Sequence, residues 1–226
     1  AADLAILQRD LKRAVTAAYY RVLLARHGQT ESNRDGLFCG HSETQLTDFG
    51  RSQARALGER LRETPIDAVY TSDFSRAIET AGLALAGRTV PLQVDAALRE
   101  IHYGEWEMRK ESAVRREGSE QYRLLRAEDP AWHPPGGESL GEVVTRTEKA
   151  FRRIAHAHEH GTVLIVMHGT AMNCLLAGLL AIPLTHVFRI AVANCGLSEV
   201  VVNKGIATIT LLNDRAYLPA PGQPAG

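Results

Sequence analysis

Cysteine is scarce in this chain of 226 residues: there are three, Cys39, Cys174 and Cys195. An odd count without CxxC spacing suits a reducing compartment better than a disulfide framework, and each thiol reads first as a small buried hydrophobe. An excess of charge is missing as well. Lys and Arg number 26 and Asp and Glu number 26, so no overall field draws the chain to nucleic acid or to an anionic membrane. No apolar run approaches the roughly 18 to 20 residues of a membrane span. Asp3, Arg9, Asp10, Lys12 and Arg13 stand where a signal peptide needs its apolar stretch. A cytoplasmic protein with a small-molecule partner is expected. No internal repeat is present.

What is there is one core's worth of apolar residues, 45% of the chain. Leu4, Leu7, Leu11 and Val15 recur at helical spacing and predict an amphipathic helix ahead of the main fold. "YRVLLA" then reads as a strand, and "LTDFGRSQARALGERLR" as a helix capped by Thr47 that buries Ala54, Leu57 and Leu61. The alternation continues. "DAVYTS" leads into "SRAIETAGLAL", a long helix near Ser139 to Glu159 precedes "TVLIVMH", and that strand feeds "GTAMNCLLAGLL". "GLSEVVV" and "IATITLLN" flank a hairpin turn at Asn203, Lys204 and Gly205. The pattern predicts a three-layer α/β/α sandwich with a mostly parallel sheet and one antiparallel edge. Residues 1–19 read as a helical extension, 20–218 as the domain and 219–226 as a flexible tail. The first residue is Ala and the end is "PAPGQPAG", which fits a domain cut from a longer polypeptide as well as removal of an initiator Met.

Ligands of such sheets bind beyond the carboxyl ends of the strands, and two His-Gly pairs, His27-Gly28 and His168-Gly169, stand at two of those ends. A neutral imidazole is nucleophilic and largely unprotonated near neutral pH, so His27 can attack phosphorus directly. Arg26 beside it, and Arg76 at the start of a helix, offer paired donors for the charge on phosphate oxygens. His168 completes the ring, with its charged form favoured by a nearby anion. Glu100, in the loop "LREIHYGEWE", is the carboxyl assigned to protonate the leaving oxygen and then to activate water. The scheme requires no metal and no cofactor. Singly, each residue has a bland alternative: a surface turn for Arg-His, a solvated helix residue for Arg76, an ordinary loop carboxylate for Glu100, a core histidine for His168. Their joint appearance changes the odds.

The blocks "LLARHGQTESN", "SDFSRAIETA", "LREIHYGEWE" and "VMHGT" resemble the four signature blocks of the histidine phosphatase superfamily, with its phosphoglycerate mutase-like fold, in the expected order. The resemblance implies a phosphohistidine at His27, phosphate binding by Arg26, Arg76, His168 and Asn33, and a proton donor at Glu100. Cys39 and Gly40 fall in the substrate loop, and Thr30 and Gly169 are expected beside the bound ester. "GLFCGHSETQLTDFG", "HYGEWEMRK" and the closing strands are similar to the α-ribazole phosphatase branch, which implies α-ribazole 5′-phosphate as substrate. The leading helix is extra to that pattern, and an upstream domain or a homodimer contact are the roles open to it.

The charged stretch from Arg109 to Ser139 is expected to form a lid of short helices, with Arg115, Arg116, Arg123 and Arg126 as a solvated face. Three rivals remain in view: a broad-specificity or sugar phosphatase, a phosphoglycerate mutase, and a catalytically silent binding module. A metal site at His156 and His160 in "HAHEH" is a minor alternative, since that spacing lacks a third ligand.

Overall fold

The computed structural model describes residues 20–126, 129, 131–158, 160–203 and 205–220. The expected leading helix and residues 221–226 of the expected tail lie outside them. Six strands form one sheet: β1 (Tyr20–Arg26), β2 (Ala68–Thr71), β3 (Leu92–Val94), β4 (Gly161–Met167), β5 (Leu197–Asn203) and β6 (Ile206–Asp214), in the order β3-β2-β4-β1-β5-β6. The first four run parallel, and the closing hairpin adds the antiparallel edge. Asn203 pairs with Ile206, and Gly205 between them takes φ 80°, a conformation that favours glycine.

The central strands are apolar throughout because both faces are covered. Alternate residues serve opposite sides, as the two-residue period of a strand dictates. Val22 and Leu24 of β1, with Val163, Ile165 and Met167 of β4, enter one core cluster. Leu23, Ala25, Leu164 and Val166 enter the other. Helices α2 (Asp48–Arg60) and α3 (Ser75–Ala84) close the second face through Ala54, Leu57, Ala77 and Ala81. Helices α6 (Leu140–Ala157) and α7 (Gly169–Leu179) close the first through Val143, Ala150, Leu175 and Leu176. Each Val, Leu, Ile or Met among them contributes about 1.5 to 3 kcal/mol on burial, and each Ala less. The three layers are those the alternation predicts.

Caps set the helix starts. Thr47 accepts the Gly50 N–H ahead of α2, and Ser139 and Glu142 form a reciprocal capping box ahead of α6. A short helix, α1 (Glu31–Asp35), is capped in the same reciprocal way by Thr30 and Asn33.

The charged excursion does form two short helices, α4 (Glu111–Glu117) and α5 (Glu120–Arg126). Arg115, Arg116 and Arg123 are exposed, as expected. The lid role is not what the structure shows. Val114, Tyr122 and Trp132 anchor the excursion in the first core cluster, and none of its described residues lines the cavity described below. No helix among the described residues is long and apolar enough to cross a membrane.

Candidate active site

The register of the two central strands builds the site. Arg26 ends β1 opposite Met167, which ends β4, so the next residue on each strand is a histidine and the two emerge side by side. Their ring centroids are 5.0 Å apart. His27 is also tied down through its backbone: its N–H donates to the Met167 carbonyl at 2.9 Å, and its carbonyl accepts from Asn194 Nδ2 at 3.0 Å.

The tautomer of His27 follows from its one side-chain partner. Nδ1 lies 2.7 Å from the Gly28 carbonyl, which can only accept, so Nδ1 carries the proton and Nε2 keeps its lone pair. Burial, reinforced by the Arg76 and Arg26 guanidiniums, holds this imidazole well below the ordinary histidine pKa despite the bond to Gly28. The group is a neutral base with one free nitrogen at the wall of a cavity of about 480 Å³.

Arg26, His27, Thr30, Asn33, Cys39, Arg76, Glu100 and Gly169 all line that cavity. Arg26 donates through Nη1 to the Val192 carbonyl at 3.0 Å, while its buried Nε has no partner among the described residues. A buried, charged and underused donor is a ready anion ligand. Asn33 accepts at Oδ1 from Thr30 N–H and from Asn194 Nδ2, which leaves its own Nδ2 as the end that can donate. Cys39 donates to the Ser42 carbonyl at 3.4 Å, and burial pushes its thiol pKa up, so it stands in the wall as a neutral thiol.

Glu100 is placed by the first turn of α7. Its Oε1 accepts from Ile101 N and Ala171 N, each at 2.9 Å, and its Oε2 accepts from Thr170 N at 3.0 Å. The free N–H groups that begin every helix therefore serve here to aim a carboxyl group. Oε2 takes one bond only and keeps a lone pair for a proton.

Two expected residues sit differently from the sequence reading. His168 is fully buried and does not line the cavity. Its Nε2 is 2.6 Å from Ser72 Oγ, and its Nδ1 accepts from Arg76 Nε at 3.2 Å, so both nitrogens are occupied. Burial first, then Arg76, His27 and Arg26, push its pKa well below the ordinary value. In this structure His168 is a neutral support for Arg76, with its ring 5.0 Å from that of His27. Gly40 is also behind the wall. Its carbonyl accepts from Arg76 Nη2 at 2.6 Å, and a Cβ on it would lie 1.9 Å from the Ile101 carbonyl oxygen. Only glycine allows that approach.

Several lining residues were not foreseen. Tyr103 donates or accepts across 3.0 Å to Thr170 Oγ1, and burial followed by the Glu100 charge keeps it a phenol. Asn173 stands with them on one wall, and Asn213 and Arg215 at the end of β6 stand on another. Glu107 holds the 40–42 loop from behind, accepting from the backbone N–H groups of Gly40, His41, Ser42 and Tyr103. Burial opposes its charge, but those bonds outweigh it and hold the carboxyl below the ordinary value. The one signal available was a polar Asn173 inside an otherwise apolar helix. At the candidate metal motif, His156 Nδ1 donates to the Arg152 carbonyl at 2.7 Å. Among the described residues no three metal-ligating side chains gather.

Comparison with protein families matches residues 22–215 to the histidine phosphatase superfamily (branch 1). The chain is 35% identical over 196 residues to the adenosylcobalamin/α-ribazole phosphatase of Salmonella typhimurium, covering 87% of this chain and 97% of that one. Among solved structures, the α-ribazole phosphatase of Shigella flexneri is similar at a TM-score of 0.79 and 32% identity, over 86% of this chain and 96% of the other. Bacillus stearothermophilus YhfR is similar at a TM-score of 0.85 and 31% identity, over 88% of this chain and all of the other. With its strand-end histidines, two cavity-lining arginines and helix-held carboxyl, the chain belongs to the histidine phosphatase superfamily.

Proposed function

We propose that this protein hydrolyses a small phosphate monoester through a covalent phosphohistidine at His27, with α-ribazole 5′-phosphate as its substrate. The observation that carries the reading is the state of His27: neutral, its Nδ1–H spent on the Gly28 carbonyl, its Nε2 lone pair at the cavity wall between two guanidiniums. In the first step Nε2 attacks phosphorus and the bond to the alcohol oxygen breaks, while Glu100 gives that oxygen its proton. In the second, Glu100 takes a proton from water, the oxygen attacks phosphorus, and the N–P bond breaks to return neutral His27 and inorganic phosphate. Arg26 and Arg76 neutralise the non-bridging oxygens in both steps, and Asn33 adds a neutral donor. The scheme draws on no metal.

The choice of alcohol rests on the likeness to relatives named as α-ribazole phosphatases. The test is single turnover with a phosphorus-labelled ester, quenched in alkaline denaturant because the N–P bond of a phosphohistidine hydrolyses in acid. Label should appear on His27 before free phosphate accumulates, and His27→Ala should abolish both. A panel holding α-ribazole 5′-phosphate, 3-phosphoglycerate and sugar phosphates separates the substrates. Turnover that depends on a bisphosphorylated primer would replace the hydrolase with a mutase.

A further inference from the structure

Four buried side-chain polar atoms among the described residues have no hydrogen-bond partner, and two belong to residues that line the cavity: Arg26 Nε and Asn173 Oδ1. The first faces the phosphate site. The second is unexplained by anything in the chemistry above. Asn173 is 9% exposed, its Oδ1 is sealed from solvent, and its Nδ2 donates to no described residue. Leaving a buried amide unsatisfied costs about 1 to 3 kcal/mol. The neighbours that follow it in α7, Cys174, Leu175, Leu176 and Ala177, are all fully buried and apolar, so an apolar side chain would suit the position's packing.

Its place narrows what it meets. Asn173 follows Thr170 by three residues, so the two share a face of α7. A helical side chain leans toward the N-terminus of its helix, which here is the turn whose Thr170 and Ala171 N–H groups hold Glu100. Asn173 therefore leans toward the turn that holds Glu100, the carboxyl assigned to the leaving oxygen, and that points it to the alcohol of the ester. Its companions on that wall, the Tyr103 and Thr170 hydroxyls, are neutral and already bonded to each other. A half-turn of the amide presents either its oxygen or its nitrogen to the cavity. Neutral groups of this kind can both donate to and accept from a hydroxyl group, whereas a carboxylate can only accept.

Resting on the reading of the site as a phosphatase, we infer that Asn173 is a specificity-determining residue that hydrogen-bonds a hydroxyl group on the alcohol portion of the ester and so selects sugar-like phosphates. One bond to a neutral hydroxyl, at about 1 to 1.5 kcal/mol, corresponds to a preference of roughly tenfold. The probe pair is 1,4-anhydroribitol 5-phosphate and tetrahydrofurfuryl phosphate, which keep the same ring and ester oxygen and differ only in the two ring hydroxyls. The native enzyme should favour the hydroxylated ester in kcat/KM by about tenfold or more. In Asn173→Leu, which keeps the branching at Cγ and removes both polar ends, that ratio should collapse toward one. Asn173→Ala serves if the leucine variant does not fold, with the same expected collapse. A native enzyme with no preference, or a ratio unchanged in the variants, overturns the assignment even where His27 is still labelled. Absence of labelling with every ester overturns the phosphatase reading itself, and this inference with it.

Discussion

Arg76 donates through Nε to His168 Nδ1 at 3.2 Å, and His168 in turn sits 2.6 Å from Ser72. The nitrogen that accepts from a guanidinium cannot carry a proton, so His168 Nε2–H must donate to Ser72 Oγ. Two further bonds, to the Ser42 carbonyl at 2.9 Å and the Gly40 carbonyl at 2.6 Å, fix the rest of the guanidinium. Arg76 is therefore fully oriented before any substrate arrives, and it still has N–H groups to give.

Lysine cannot reproduce that geometry. Arg76→Lys should lower kcat/KM by at least about 100-fold, the usual loss for one preorganised donor to transition-state charge. It should also lower the melting temperature, because two loop carbonyls lose their donor. Steady-state kinetics with a thermal melt checks both, and a loss of less than about tenfold in kcat/KM would remove Arg76 from the phosphate cradle.

Glu100→Gln separates acid catalysis from positioning. An alkyl ester has a leaving oxygen that needs a proton, whereas nitrophenolate leaves without one. The variant should slow the alkyl ester by about 100-fold or more, within the range for lost general acid catalysis, and p-nitrophenyl phosphate by much less. Since the amide also presents N–H groups toward Thr170 N or Ala171 N, some loss common to both esters is expected. Equal losses for the two would take the proton-donor role away from Glu100.

Stability should fall on acidification. His27 and His168 are both held well below the ordinary histidine value by burial and by the arginines. Below about pH 6.5 the unfolded chain binds protons that the folded chain refuses, so stability is complete above that value and declines as the pH drops. The slope is up to about 1.4 kcal/mol per pH unit for each imidazole. Urea titrations at pH 7.5 and pH 5 measure it, and His27→Gln should make the decline shallower. An unchanged slope in the variant would mean that other groups carry the effect.

The strand ends were readable because hydrophobic runs stop there: "VLLA" gives way to Arg26, His27 and Gly28, and "VLIVM" to His168 and Gly169. Arg76 was readable from its position at the first turn of a helix, and the parallel order of the strands from the helices between them. The role of His168 was not. Nothing local says that Arg76 and Ser72, far from it in the chain, occupy both of its nitrogens. The 109–139 stretch misled for a related reason. Its many charges face water, but Val114, Tyr122 and Trp132 are spaced too irregularly to announce that they reach the core. Glu107 and Tyr103 sit in a loop, where no periodicity ties a side chain to a direction.

Because β1 and β4 finish level with each other, the gap between the two imidazoles is metered by a backbone ladder instead of by any loop. Adding or deleting a single residue inside either strand would rotate every later side chain to the opposite face and dismantle the chemistry at a stroke. The α4–α5 excursion, whose described residues form no part of the cavity wall, turns at the exposed Gly118 between its two helices, where new surface can be grafted while the reacting atoms keep their spacing.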